Sequence, residues 1–298
     1  MTLAATSVVT AMLSAAPGTA ADPAPAPGLH LVTLPGPGTS GSDDSRAELL
    51  AEQDAVLADI GGPDPVYRWS TALNGFAVSL HREQVALLEA DPRVARVEPN
   101  DVRRAATASS SAGATNGRPP SRGGAGVVVG VVGTGIAPEL PVFADVPDLG
   151  RAPHDFRGGC EPAEGWSASS CGRKLVGAAW FVEGFGASRV GSSEELSPRD
   201  EAGSGTQLAA LAAGNAGVTM RLPQDDPESG NAFGGAAPQA RIAAYKACWT
   251  APDPADDGCA TADLVTAVDR AAADRVDVLT LGVDGPTVST PGVDTLDR

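Results

Sequence analysis

The sequence predicts an α/β protein of two units, a small α+β unit followed by a larger one built on a parallel sheet. Three observations carry this. Residues 29–104 order their apolar patterns as β-α-β-β-α-β, residues 105–125 are aperiodic and rich in Ala, Ser, Gly, Pro and Arg, and from residue 126 strands alternate with helices. A length of 298 residues suits about two domains, and a hydrophobic fraction of 42% suffices for packed cores.

In the first unit, Leu29 to Leu34 reads as a strand, followed by a polar loop from Pro35 to Asp44. Leu49, Leu50, Val56, Leu57 and Ile60 recur at helical spacing within Ser45 to Ile60, and Gly61-Gly62-Pro63 stops that helix. Val66 to Ser70 and Phe76 to Leu80 read as strands joined by a turn at Asn74-Gly75. Arg82 to Ala90 is a short helix with Val85, Leu87 and Leu88 on one face, and Val94 to Val97 is the last strand, closed by Pro99. This order is that of a ferredoxin-like unit.

The stretch 105–125 is a linker, and Arg103-Arg104 at its head would be open to proteolysis. In the second unit Gly126 to Val132 is a β-branched run typical of a buried parallel strand. Further strands are expected at Leu175 to Phe181, Ile242 to Ala247 and Val276 to Leu281. Helices fit Thr206 to Ala213 and Ala262 to Ala273, the latter with Leu264, Val265, Val268 and Ala271 as its inward stripe. Gly184 to Asp200 and Pro223 to Gly235 read as surface loops.

Composition excludes some functions. A net charge of −16 argues against a phosphate-backbone partner, so no nucleic acid is expected. No run reaches the ~20 apolar residues of a membrane span. Leu3 to Ala16 is mildly apolar and rich in small residues, and residues 1–20, ending in Gly18-Thr19-Ala20 as a small-residue cleavage site, read as a signal peptide, although no Lys or Arg precedes the apolar stretch. Residues 21–28 form a Pro/Ala spacer. Export is the expectation. In that setting Cys160, Cys171, Cys248 and Cys259 suit two short-loop disulfides, with three pairings open. With three histidines and no CxxC, no zinc site is expected.

Three segments of the second unit resemble the subtilases, the subtilisin-like serine proteases. Val131-Val132-Gly133-Thr134-Gly135-Ile136 matches the segment where the family has Asp-Thr-Gly-Ile, and Gly133 stands at the position of the triad Asp. Asp200-Glu201-Ala202-Gly203-Ser204-Gly205-Thr206-Gln207 matches Gly-His-Gly-Thr-His, with Ser204 in place of the general-base His and Gln207 in place of the second His. Pro238 to Trp249, Gly258-Cys259 and Val276 to Leu281 are similar to the central strand–helix–strand of the larger secreted members, as is Cys160 to Ala178. Leu73 to Val78, Gln84 to Leu88 and Val94 to Pro99 resemble the propeptide inhibitor domain of the family. That resemblance implies a module, residues 29–104, that packs on the protease and lays its C-terminal tail along the substrate cleft. Residues 126–298 then form a catalytic-like domain, truncated relative to the family.

A Ser-His-Asp triad needs a base titrating near the working pH and a carboxylate to orient it. Gly133 supplies no carboxylate, and the Ser204 hydroxyl is not basic near neutrality. The nucleophile segment expected beyond Leu281, Gly-Thr-Ser-Met-Ala in the family, is not found before Arg298, and Asn215 is not the oxyanion-hole Asn. The expectation is a secreted family member without hydrolytic activity. One alternative is a propeptide-like module acting on an active subtilase through residues 29–104. Another is an endopeptidase whose sequence continues further.

Weaker signals favour plain roles. His154-Asp155 suggests a relay but sits in a loop, and His30 and His81 read as surface residues. The glycines of Gly130 to Gly135 resemble a dinucleotide turn, but Pro138 and Pro141 spoil the helix it needs, so no cofactor is expected. Asp200, Asp225-Asp226 and Asp256-Asp257 read as solvated acids rather than a calcium site, and Trp166, Trp180 and Trp249 as packing near the cysteines.

Overall fold

The structure, a computed structural model, describes residues 26–39, 43–106, 121–220, 231–283 and 295–296. Residues 1–20, read as a signal peptide, most of the spacer, the centre of the linker, Asp225-Asp226 and most of the loop from Pro223 lie outside the described residues.

The first unit contains β1 (Gly28–Pro37), α1 (Asp43–Asp59), β2 (Tyr67–Trp69), β3 (Leu73–Leu80), α2 (Arg82–Glu89) and β4 (Arg96–Pro99). Its antiparallel sheet has the order β2-β3-β1-β4. Alternation along the strands divides the side chains cleanly. Val32, Leu34, Phe76 and Val78 pack with Val56 and Leu57 of α1 and Leu88 of α2, whereas Leu31, Trp69 and Ala77 face the other way.

The second unit follows β5 (Val102–Arg103) with β6 (Val128–Gly133), β7 (Leu175–Trp180), α3 (Ser204–Ala213), β8 (Val218–Met220) and β9 (Asn231–Phe233). Then come β10 (Arg241–Lys246), β11 (Cys248–Trp249), β12 (Gly258–Ala260), α4 (Thr261–Asp274) and β13 (Val278–Leu281). Its four-stranded sheet has the order β13-β6-β10-β7 and is parallel throughout. Val129 and Val131 of β6 face α3 through Ala209, Ala210 and Ala213; Val128 and Val132 face α4 through Leu264, Ala267 and Ala271. Both faces are covered, which is why β6 reads as an unbroken apolar run.

The sequence reading needs several corrections. Asn74-Gly75 is no turn: both residues lie inside β3, and the chain reverses at Ser70 to Ala72. Gly75 is there because a Cβ would sit 2.5 Å from the Val32 carbonyl, and Asn74 is held by Gln53 and Glu52. Leu87 is 58% exposed, so the inner face of α2 rests on Leu88 with half-buried Val85. The first strand runs on to Pro37, and the fourth is shifted to Arg96–Pro99. Gly184 to Asp200 is anchored rather than superficial, with Phe185 and Ser197 buried and Glu194 ion-paired to Lys246.

The chain has two lysines, and both are fully buried. Lys174 donates to the carbonyls of Pro238 and Ala240, and burial, reinforced by Arg241, pushes its ammonium down to about 7.

Disulfides join Cys160 to Cys171 and Cys248 to Cys259. Trp166 packs at the first, its Nε1 donating to Cys160 Sγ at 3.1 Å, while Trp249 follows Cys248 and meets Trp180 edge-on. The second bridge cross-links β11 to β12, which pair directly at Cys248 and Cys259. Closing a loop of 11 residues restricts the unfolded chain by about 3 kcal/mol. Replacing Cys248 and Cys259 together by serine should lower the unfolding free energy by about that amount in urea titration, and an unchanged midpoint would contradict it.

Candidate functional site

In open parallel sheets, ligands collect at the carboxyl ends of the strands, and here β6 ends at Gly133. Thr134 and Ser204 place the mouth of α3 directly against that end, their hydroxyl oxygens 3.2 Å apart, and Gly205 N–H donates to Thr134 Oγ1 at 2.8 Å. The contact requires glycine at 205, because a Cβ there would lie 2.4 Å from the Gly135 carbonyl. Gly133 is different. A Cβ at that position would first meet Gly205 Cα at 3.7 Å, an ordinary contact, so the backbone leaves room for a side chain that the sequence lacks.

Asp200 fixes the approach to α3. Its Oδ1 accepts from the N–H groups of Ala202 and Gly203, and its Oδ2 accepts from Thr206 N–H and Oγ1. It is a capping carboxylate, which answers the sequence question about this acid. Gln207 points to solvent one residue further along the helix.

Opposite Gly133 in the sheet register stands Lys246. Its Nζ lies 2.6 Å from Glu194 Oε1, donates to the Arg199 carbonyl and sits over the Trp249 ring at 4.4 Å. Burial drives the Lys246 ammonium below its usual range, and Glu194 opposes that drop. With its donors committed, the ammonium ties the segment 184–200 to the end of β10.

Beside this edge the chain leaving the first unit adds a short strand. β5 pairs antiparallel with β12 through Arg103 and Cys259, Ala105 bridges Val283, and Ala106 N–H donates to the Gly282 carbonyl at 2.9 Å. Residues 102–106 thus add a strand between β12 and the segment after β13. Gly258 makes room for it, since a Cβ there would lie 2.5 Å from the Arg103 carbonyl. Arg103, read from sequence as an open cleavage point, has its backbone paired in this strand.

The body of the first unit rests on α4. Trp69 Nε1 donates to Thr266 Oγ1, and Tyr67 OH donates to Asp263 Oδ1, each at 2.8 Å. Asp269 accepts the N–H groups of Thr71 and Ala72 at the turn after β2. Asn100 Oδ1 accepts from Ala262 N–H, and the Asp101 carbonyl accepts from Thr261 N–H. Asp263 is completely buried and also receives Gly184 and Phe185 N–H. Burial raises its carboxyl to about 6 despite these donors, and burial raises Asp269 as well.

The remaining sequence candidates lie elsewhere. His154 and Asp155 form their own exposed pair at 3.1 Å. His81 is an exposed N-cap of α2, and half-buried His30 is bonded to the Gly28 carbonyl. Asn215 donates to the Ala144 carbonyl, and Asp257 accepts from Ala251 N–H. The chain after Gly135 makes a turn and a short 3-10 segment at Pro141–Phe143. Among the described residues no three His, Cys, Asp or Glu side chains gather as a metal site. No helix among them is long and apolar enough to cross a membrane. Sequence reasoning missed Asn100, Asp263, Asp269 and Glu194; Asn100-Asp101 directly after Pro99 was the one available capping signal.

Comparison with known proteins shows what the chain is similar to. Residues 39–106 match the family model of peptidase inhibitor I9. Subtilisin-like protease SBT1.4 of Arabidopsis thaliana is 38% identical over 239 residues, covering 76% of this chain and 29% of that protein. Subtilisin-like protease SBT1.2 of the same plant is 35% identical over 239 residues, with 74% and 29% covered. Subtilisin-like protease SBT3.4 is 31% identical over 273 residues, with 86% and 34% covered. The chain therefore spans about a third or less of the length of these relatives.

Asp263 makes the junction sensitive to pH. Between pH 4 and 6 the folded protein holds a proton that the unfolded chain has released, so this group's contribution falls as pH rises through that window and is flat above it. In Asp263→Asn that dependence should vanish. The unfolding free energy of the variant, relative to the unsubstituted protein, should improve from pH 4 to pH 7. A difference constant with pH would refute the assignment.

Proposed function

The chain belongs to the subtilase family of subtilisin-like proteases, and we propose that it is a member that does not hydrolyse peptides by the triad mechanism. The observation that carries this reading is the meeting point of β6 and α3. Gly133 brings no carboxylate to it, and Ser204 brings a hydroxyl that is no base near neutral pH. Loss of the base alone from a subtilisin triad costs on the order of 10⁶ in turnover. Lys246, the nearest buried amine in the sheet register, is committed to Glu194 and the Arg199 carbonyl.

On this reading residues 29–104 are an inhibitor-type domain, 105–125 a connector and 126–298 a catalytic-type domain. The two disulfides and the apolar residues 1–20 favour export. Purified protein incubated with chromogenic peptides and with casein should show turnover at the buffer background. Turnover above background that a serine-directed inhibitor abolishes would overturn the reading.

A second role is favoured by the strand formed by residues 102–106, which is held by backbone bonds on both sides. Backbone pairing of this kind depends little on side chains and can be offered to another protein. Residues 29–106, shown to be folded by circular dichroism, should inhibit an active subtilase saturably and in competition with peptide substrate. Absence of inhibition by the folded domain would confine the module to its own chain.

A further inference from the structure

Where the two units meet, a cavity of ≈ 330 Å³ opens beside the Asp269 contact. Four arginines line it, Arg46 and Arg68 from the first unit and Arg157 and Arg270 from the second. In a chain of net charge −16 such a concentration of guanidinium groups needs a physical account.

Two of the four are neutralised locally. Arg68 pairs with Asp54 at 2.6 Å, and Arg270 pairs with Glu161 at 2.5 Å and Asp274 at 2.9 Å. The other two have no carboxylate partner among the described residues. Arg46 Nε donates to the buried Ser70 Oγ at 3.2 Å, and the Arg157 side chain makes no ion pair or hydrogen bond among the described residues. Asp269, the acid in the cavity wall, cannot serve them well, because its oxygens already accept the N–H groups of Ser70, Thr71 and Ala72. Thr39, Thr71 and Thr266 also line the cavity, the hydroxyls of Thr39 and Thr266 donating to the Ser70 and Ala262 carbonyls.

We propose that this cavity binds a multivalent tetrahedral oxyanion, of the phosphate or sulfate class, held by Arg46 from one unit and Arg157 from the other. Guanidinium groups present paired N–H donors that match such oxygens, and Arg46 and Arg157 are both exposed, so their donors can be reached by an anion from solvent. The volume exceeds a single phosphate and suits a diphosphate or a phosphate ester. A ligand that touches both units binds the docked arrangement better than the separated one, so occupancy and docking reinforce each other. The proposal is independent of whether the protein hydrolyses peptides.

The test is calorimetric titration of inorganic pyrophosphate into the full chain at constant ionic strength, with phosphate, sulfate and chloride in parallel, alongside thermal melts. Saturable binding of pyrophosphate and a rise in Tm that chloride does not reproduce are expected. Arg157→Gln and Arg46→Gln should each weaken binding about tenfold to a hundredfold. Melting of Arg157→Gln in chloride should stay near that of the unsubstituted protein, since that side chain has no ion pair or hydrogen bond to lose among the described residues, whereas Arg46→Gln gives up its bond to Ser70. Arg157→Lys, which keeps the charge but not the fork, should bind with intermediate affinity. No saturable binding by the unsubstituted protein, or equal binding by the glutamine variants, would overturn the proposal.

Discussion

The fold depends on how the N-terminal turn of α4 is satisfied. A helix begins with N–H groups that have no partner inside it, and the usual remedy is a polar residue at the N-cap. Here the N-cap is Ala260, which has nothing to offer. Asn100 and Asp101 of the first unit supply the missing acceptors, and Asp263 and Asp269 return the favour by accepting donors from Tyr67 and from the turn at Ser70 to Ala72. Each unit leaves polar groups open that only the other closes. The same contact fixes where residues 102–106 emerge, and so where they pair with β12.

Much of this architecture was legible in the sequence because it rests on local pattern. Buried parallel strands such as β6 carry unbroken apolar runs, and α1 carries a helical stripe that the structure uses at Val56, Leu57 and Ile60. What was not legible is non-local. Asn74-Gly75 has the composition of a tight turn, yet Gly75 answers the close approach of β1, a strand some forty positions away. β5, β11 and β12 are two or three residues long and exist only because they pair with one another. The stripe Leu264, Val265, Val268 and Ala271 gave no sign of Asp263 and Asp269, which the first unit meets through Tyr67 and the turn at Thr71.

The site was legible in a different way. Gly133 and Ser204 could be located because the residues around them are constrained by packing. Gly205 and Gly135 approach too closely for side chains, and Thr134 bonds across to the start of α3. Those constraints belong to the scaffold, not to the chemistry. A Cβ at 133 would make only an ordinary contact with Gly205, so the packing around this strand end does not itself demand glycine there. Fold and reactivity are separable at this strand end, because the contacts that hold it are not the groups a triad would use.

The two lysines show what burial means for reactivity. Lys174 and Lys246 are wholly enclosed, one among carbonyls and one against Glu194. Neither lysine amine of this chain is presented to solvent in the native state. Reagents and enzymes that modify lysine would reach these two side chains only in molecules that have opened. The pace of such modification would then count excursions from the native state rather than surface accessibility.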